Sequence, residues 1–186
     1  MRVKFVEIDN PENVDYKINW QINYKDFPLT IDKEYIVYAI ECLEKKHINY
    51  FLLDDGGNLY PNNYPSDFFI ITDDRMSKYW VNRDGLNTFD KFKVHYPSLI
   101  TFKEWVCDAF FEEDMMENNE ALKIFNQYKK LIDIEFPDKS LPTAILISDN
   151  WVMCNFCDES WIVSSENGIV ICPNCKRESN NPLWEN

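Results

Sequence analysis

Four cysteines near the C-terminal end carry the most specific chemistry in this 186-residue chain. Cys154-Asn155-Phe156-Cys157 is followed, after fourteen intervening residues, by Cys172-Pro173-Asn174-Cys175. A C-x-x-C turn lets two sulfurs reach one metal ion, and a second such hook completes a tetrahedron. Four thiolates suit Zn(II) and leave no open position for a substrate, so the role implied is structural. Disulfides, a redox dithiol pair and an iron–sulfur centre are the other uses of such cysteines. Disulfides need an oxidising compartment. A thioredoxin-like redox pair needs a βαβ pattern, which this sequence lacks.

Around the hooks, Ser160 to Ser164 alternates apolar and polar residues, and Ile169 to Ile171 is a β-branched run. Asn167-Gly168 between them reads as a hairpin turn joining two short strands. With the hooks, residues 151–180 resemble a zinc ribbon. The resemblance implies that Cys154, Cys157, Cys172 and Cys175 hold one structural Zn2+.

No other motif in the chain matches a catalytic set. There is no G-x-S-x-G, no Gly-rich phosphate loop and no H-E-x-x-H, and four glycines leave little material for a phosphate cradle. His47 and His95 stand apart from other candidate ligands, so general acid–base chemistry has few players. Asp54-Asp55-Gly56-Gly57 lacks the alternating oxygen ligands of a calcium loop and reads as a tight hairpin turn. Asp73-Asp74-Arg75 reads as a surface ion pair or a strand-end turn. Cys42 and Cys107 fall in apolar periodic stretches and read as structural thiols. The expectation is a chain that is not an enzyme.

Charge narrows the partners. The net charge is −13. Residues 1–95 hold 12 Lys and Arg against 16 Asp and Glu, residues 96–150 hold 5 against 11, and residues 151–186 hold 2 against 5. Binding to nucleic acid is driven by cations that neutralise phosphates, and Lys176 and Arg177 are the only ones in the hook region. Glu112, Glu113, Asp114, Glu117 and Glu120 form an acidic stretch. It reads either as a solvated connection between helices or as a surface for a cationic partner. An aromatic cluster, Tyr60, Tyr64, Phe68, Tyr79 and Trp80, reads as core filling or as a peptide groove. Tyr64 and Trp80 are the candidates for partner contact.

The elements that position these groups follow from periodicity. The opening Met1-Arg2-Val3-Lys4-Phe5-Val6-Glu7 alternates as a strand and has no secretory-signal pattern, so a cytoplasmic protein is the expectation. No apolar run approaches the roughly 20 residues of a membrane span. Short strands follow around Trp20–Tyr24, Leu29–Ile40, Asn49–Leu53 and Asp67–Ile71. Thr101 and Glu104 fit a capping box opening a helix with Phe102, Trp105, Val106, Ala109 and Phe110 on one face. The acidic stretch ends it. A second helix carries Ala121, Ile124, Phe125, Tyr128 and Ile132 and stops at Phe136-Pro137. Ala144–Ser148 is a further strand. No Gly/Ser linker separates the pieces, so they read as packing together.

One more resemblance comes from the strand region. L-T-x-x-K-x-Y-x-V-Y-x-I is carried by Leu29, Thr30, Lys33, Tyr35, Val37, Tyr38 and Ile40. Asp54, Asp55 and Gly57 follow, then Tyr64, Pro65, Phe69, Ile71 and Asp73. This order is similar to a small SH3-like barrel found in bacterial proteins of the toxin–immunity type. The fold class expected is therefore α+β. It comprises an SH3-like antiparallel β-barrel over 1–95, a two-helix segment with a following strand over 96–150, and a zinc ribbon over 151–186. The function implied is a protein-binding module, an immunity or antitoxin protein that covers the active site of a basic toxin. A nucleic-acid-associated zinc-ribbon protein is the alternative.

Overall fold

The computed structural model describes residues 1–7, 24–43, 47–83, 98–108, 111–117 and 119–184. The expected strand at Trp20–Tyr24, apart from Tyr24 itself, lies outside these residues, as do His95, Ala109 and Phe110. Among the described residues the fold is mixed α+β, with mostly antiparallel sheets and three helices. It divides into two compact units, residues 1–128 and 129–186.

The first unit is organised on one long strand. β1 spans Arg2–Phe5, β2 Glu34–Leu43, β3 His47–Leu52, β4 Asn62–Pro65, β5 Phe69–Asp73, β6 Val81–Arg83 and β7 Ser98–Thr101. β2 pairs with β3 on one edge. Its other edge takes β1 at Glu34–Ile36 and then β7 at Ile40–Cys42. A register irregularity between Val37 and Ala39 separates these two pairings, and bulges of this kind bend a strand and increase its twist. The strand order ends at β4 and β5. Among the described residues no pairing joins those ends, so the sheet is open where the sequence suggested a closed SH3-like barrel. β3 and β4 do form the expected hairpin, but with a wide connection over 53–61 in place of a tight turn.

Both faces of β2 and β3 are covered. On one, Val37, Ile40, Tyr50 and Leu52 pack with Val3, Phe5, Tyr64, Phe68 and Phe69. On the other, Tyr38 meets Phe125 with ring centroids 5.3 Å apart, and Phe51 meets Trp105 at 5.1 Å. Burial on both faces explains why β2 reads as a nearly continuous apolar run.

The helices cover that second face. α1 is Lys103–Cys107, α2 Phe111–Glu117 and α3 Asn119–Asp133. Three corrections to the sequence reading arise here. Two helices were expected, and the described residues form three. The acidic stretch does not end a helix but forms α2, because Glu is a good helix former and Glu112, Glu113 and Asp114 lie at its favourable N-terminal turn. The capping box at Thr101 is absent: Phe102 is the N-cap and no side chain caps the helix. Thr101 belongs to β7 and is fully buried, where its hydroxyl donates to the Tyr38 carbonyl at 2.8 Å. A buried hydroxyl needs a partner, and the sheet supplies one closer than the helix end.

The second unit carries β8 Ile145–Ser148, β9 Trp151–Met153, β10 Ser160–Ile162, β11 Ile169–Ile171 and β12 Glu178–Asn180. The order β10-β9-β8 forms one sheet, and β11-β12 a separate pair. The hairpin expected between β10 and β11 through Asn167-Gly168 does not form. β10 pairs with β9, and β11 with β12. Each hook is itself the turn of a hairpin, so the strands flank the hooks. Ala144, Val152, Val163 and Val170 make a small core with Trp161 and Leu183 against it. Two consecutive amides tie the irregular segments to this core. Asn180 donates to the carbonyls of Asp138 and Leu141 at 2.7 and 2.8 Å, and Asn181 to those of Ser164 and Asn167 at 2.7 and 2.8 Å.

Candidate metal centre and polar cluster

The two hooks have matching backbones. The amide of Cys154 donates to Glu159 at 2.8 Å, and that of Cys172 to Arg177 at 3.0 Å. The amide of Asp158 returns to the Cys154 carbonyl at 3.3 Å, and that of Lys176 to Cys172 at 3.1 Å. The residue after each hook is left-handed, Asp158 at φ 58° and Lys176 at φ 62°. That conformation closes a turn between antiparallel strands and is usually taken by Gly. Here Asp and Lys adopt it.

The hooks face each other. Sγ of Cys154 is 3.6 Å from Sγ of Cys175, Sγ of Cys157 is 3.6 Å from Sγ of Cys172, and all four sulfurs lie within 4.8 Å of one another. A disulfide would need about 2.05 Å. A tetrahedron with Zn–S bonds of about 2.3 Å has edges of about 3.8 Å, close to the two short separations here. The four cysteines thus form a cluster that can hold a metal ion. Donors from the protein also reach the sulfurs: the Phe156 amide lies 3.4 Å from Cys154 Sγ, and Asn174 Nδ2 lies 3.7 Å from Cys157 Sγ. Cys154 and Cys172 are buried and their partners half-buried.

In the first unit the structure gathers residues that the sequence offered only as core and turn positions. Asp55 accepts from the hydroxyls of Thr30 and Tyr35, each at 2.7 Å, and from the Lys33 ammonium. Asp54 accepts from the Gly56 amide at 2.9 Å, Asn62 Nδ2 at 2.7 Å and the Tyr64 hydroxyl at 2.6 Å. Burial works to raise the Asp55 carboxyl, yet donation from Lys33, Thr30 and Tyr35 outweighs it and brings it down to about 2. Burial, then the bond to Asp55, pushes the Tyr35 hydroxyl up to about 12, and burial with the Asp54 bond raises Tyr64 as well. Each carboxylate takes three donors, so the pair locks the 28–33 and 53–64 loops in place. The T-x-x-K-x-Y spacing carried that signal, since Lys33, just before β2, and Tyr35 within it stand two residues apart along an extended segment.

The partner-contact candidates are placed as follows. Tyr64 is 6 % exposed and belongs to the core. Trp80 packs half-buried against the same core, and its buried indole N–H has no hydrogen-bond partner among the described residues. Glu113, Glu117 and Glu120 are exposed, and Glu112 and Asp114 are half-buried. Glu120 pairs with Lys123 at 3.1 Å. Asp73 and Arg75 do form the surface ion pair read from the sequence.

Glu112 is the unusual member. Burial, with repulsion from Glu41 and Glu113, raises its carboxyl from 4.5 to about 7. The folded value lies above the unfolded one, so its protonated form stabilises the fold fully below about 4.5 and that contribution is lost as pH rises through about 7. Glu112→Gln, which stays neutral, should therefore stabilise the protein by roughly 1–2 kcal/mol at about pH 8, after allowance for solvent screening, and by almost nothing near pH 4.5. Denaturant unfolding of both proteins at the two pH values checks this; an equal gain at both contradicts it.

Comparison with protein-family models, curated proteins and solved structures finds no match. Among the described residues no helix is long and apolar enough to cross a membrane.

Proposed function

We propose that this chain is a non-enzymatic, acidic protein-binding module of the immunity or antitoxin type. In this reading it acts in the bacterial cytoplasm and neutralises a basic toxin by covering its active site. The bent sheet of the first unit serves as the SH3-like scaffold, and a structural zinc ion held by Cys154, Cys157, Cys172 and Cys175 orders the second.

One observation carries the proposal. Between Lys103 and Lys123 the chain holds seven Asp and Glu residues and no Lys or Arg, and α2 with the start of α3 exposes Glu113, Glu117 and Glu120. A predominantly acidic helical surface, with Lys123 paired to Glu120 at its far end, speeds capture of a cationic partner and covers a basic cleft without a catalytic group. The absence of a recognisable catalytic motif in the sequence points the same way. Tyr64 contributes from within, by holding the loop at Asp54, and Trp80 by packing against the same core.

The test is charge reversal. Wild-type protein used as bait in a host lysate should recover a basic protein whose expression stops growth, and co-expression should restore growth. The triple variant Glu113→Lys, Glu117→Lys, Glu120→Lys should lose both effects. Recovery of no basic partner, with no protection, removes the proposal.

A second reading has one observation in its favour. Phe156 is exposed on the first hook, with the Arg177 guanidinium 4.6 Å from its ring centre. An aromatic–arginine pair of this kind can stack a nucleobase. A nucleic-acid-associated zinc-ribbon protein would then bind single-stranded oligonucleotides at low salt, and a flat titration would dismiss it.

A further inference from the structure

The two hooks are joined by more than their sulfurs. Cys154 and Cys172 are buried, whereas Cys157 and Cys175 are half-buried, so a competing ligand reaches Cys157 and Cys175 first. The side-chain amide of Asn174, on the second hook, donates to Cys157 Sγ of the first at 3.7 Å. A second contact runs the same way. The Arg177 guanidinium, two residues past the second hook, lies 4.6 Å from the ring centre of Phe156, the residue just before Cys157. Both contacts reach across from the second hook and its end to the two residues that close the first.

Charge gives these contacts their weight. Four thiolates around one divalent cation leave the centre net negative, in a chain whose own net charge is −13. An N–H donor aimed at a thiolate, or a cation beside it, stabilises the ionised sulfur. Residues 151–186 hold two cations, Lys176 and Arg177, and they directly follow Cys175. Lys176 Nζ donates to the Pro173 carbonyl at 2.6 Å, so its charge folds back on the second hook. Arg177 is held at the first hook by the face of Phe156.

We propose that Asn174 is a positioning residue of the metal centre. Its amide holds the Cys157 thiolate, and the Arg177–Phe156 stack braces the same hook. Together they latch the second hook to the first, and they set how tightly zinc is kept and how slowly it leaves. Groups that hydrogen-bond a metal ligand fix its orientation, and losing one costs roughly 10–100-fold in metal affinity. Asn174 is exposed, so its side chain fills no core and its replacement leaves the packing intact. The inference rests on the reading that the four cysteines hold zinc, and it adds residues that are not themselves ligands.

The test titrates the full-length protein with zinc against a competing chelator, and loads cobalt(II) in its place to read the thiolate-to-metal absorption band. Asn174→Ala should weaken zinc binding about tenfold and shift the cobalt band. Asn174→Asp keeps the size but puts a carboxylate where the donor was, so it should weaken zinc further; a role in filling space alone would make it the milder change. Arg177→Gln, which removes the charge, should release zinc to excess chelator several-fold faster. The zinc-loaded variants should keep the wild-type far-UV circular dichroism. Unchanged affinity and band in both Asn174 variants overturns the inference, as does zinc held by Asn174→Asp as firmly as by wild type, or an unchanged release rate in Arg177→Gln. Wild-type protein that takes up no zinc overturns the zinc reading itself, and the latch with it. Zinc-binding wild type with indifferent variants overturns the latch alone.

Discussion

Cys172→Ser is expected to abolish zinc binding and to unfold at least the last thirty residues or so of the chain. Structural zinc sites supply apparent binding free energies on the order of 10–16 kcal/mol, and that energy is folding energy where the site does not exist in the unfolded chain. The remaining core of the second unit is small. Ala144, Val152, Val163 and Val170 are its buried members. Burying a Val contributes roughly 1.5–3 kcal/mol, while fixing a residue's backbone costs about 1–2 kcal/mol, and the hook strands are only three residues each. Cys172 is also the buried first cysteine of its hook, and its amide and carbonyl close the turn to Arg177 and Lys176. Serine fits the space but offers a poor ligand to zinc. Metal analysis, far-UV circular dichroism and amide exchange measure the effect, and a strong chelator acting on the wild type should reproduce it. Zinc-free protein with protected amides across β9 to β12 would contradict the structural role.

The hooks were legible because metal-ligand chemistry is local: four residue types at fixed spacing state the site. The strands around them were not, because alternation reports that a strand exists and which residues share a face, not which strand it pairs with. Ile169–Ile171 was recognisable as a strand; its partner Glu178–Asn180 is short and polar and gives no periodic signal. Thr101 shows the same limit differently. A Thr three residues before a Glu is a capping box or a strand hydroxyl, and the deciding carbonyl belongs to Tyr38, 63 residues away.

The polar cluster at Asp54 and Asp55 was half legible. Its members stand in the pattern that suggested an SH3-like barrel, and the turn at Gly57 is real, with φ 84°. What periodicity hides is that two tyrosines on different strands turn their hydroxyls to neighbouring carboxylates. Tyr64 read from the sequence either as core filling or as part of a peptide groove. Its ring is in the core, edge-on to Phe27 with centroids 5.2 Å apart, and only its hydroxyl has a polar role. The acidic stretch was correctly read as charged, but its helical form depends on α2 covering the aromatic layer through Phe111 and Met115, which no run of charges announces.

Gly168→Ala should destabilise the protein by about 3 kcal/mol or more, far beyond the cost of losing a turn glycine. As the tip of a β10–β11 hairpin, Gly168 would lose on methylation only the roughly 1–2 kcal/mol of a left-handed turn position. The structure gives it another task. A Cβ there would lie 2.3 Å from the Pro137 nitrogen, 2.5 Å from the Phe136 carbonyl carbon and 2.6 Å from Pro137 Cδ. Those atoms are backbone and ring, so they cannot swing aside. The closeness is needed because the Gly168 amide donates to Glu135 at 3.1 Å, Ile169 to Ile134 at 3.0 Å, and Asn181 donates to the Gly168 carbonyl at 2.9 Å. Overpacking costs about 1–3 kcal/mol, and each of these backbone bonds, if stretched apart, about another 1 kcal/mol. Gly57→Ala is the control: nothing lies within 4 Å of its Cβ position, and its φ of +84° alone is the obstacle, worth about 1–2 kcal/mol. Denaturant unfolding of the two variants should rank Gly168→Ala clearly the worse. Equal losses would mean that 134–137 yields readily to the methyl group, and that the close backbone approach contributes little to holding the second unit together.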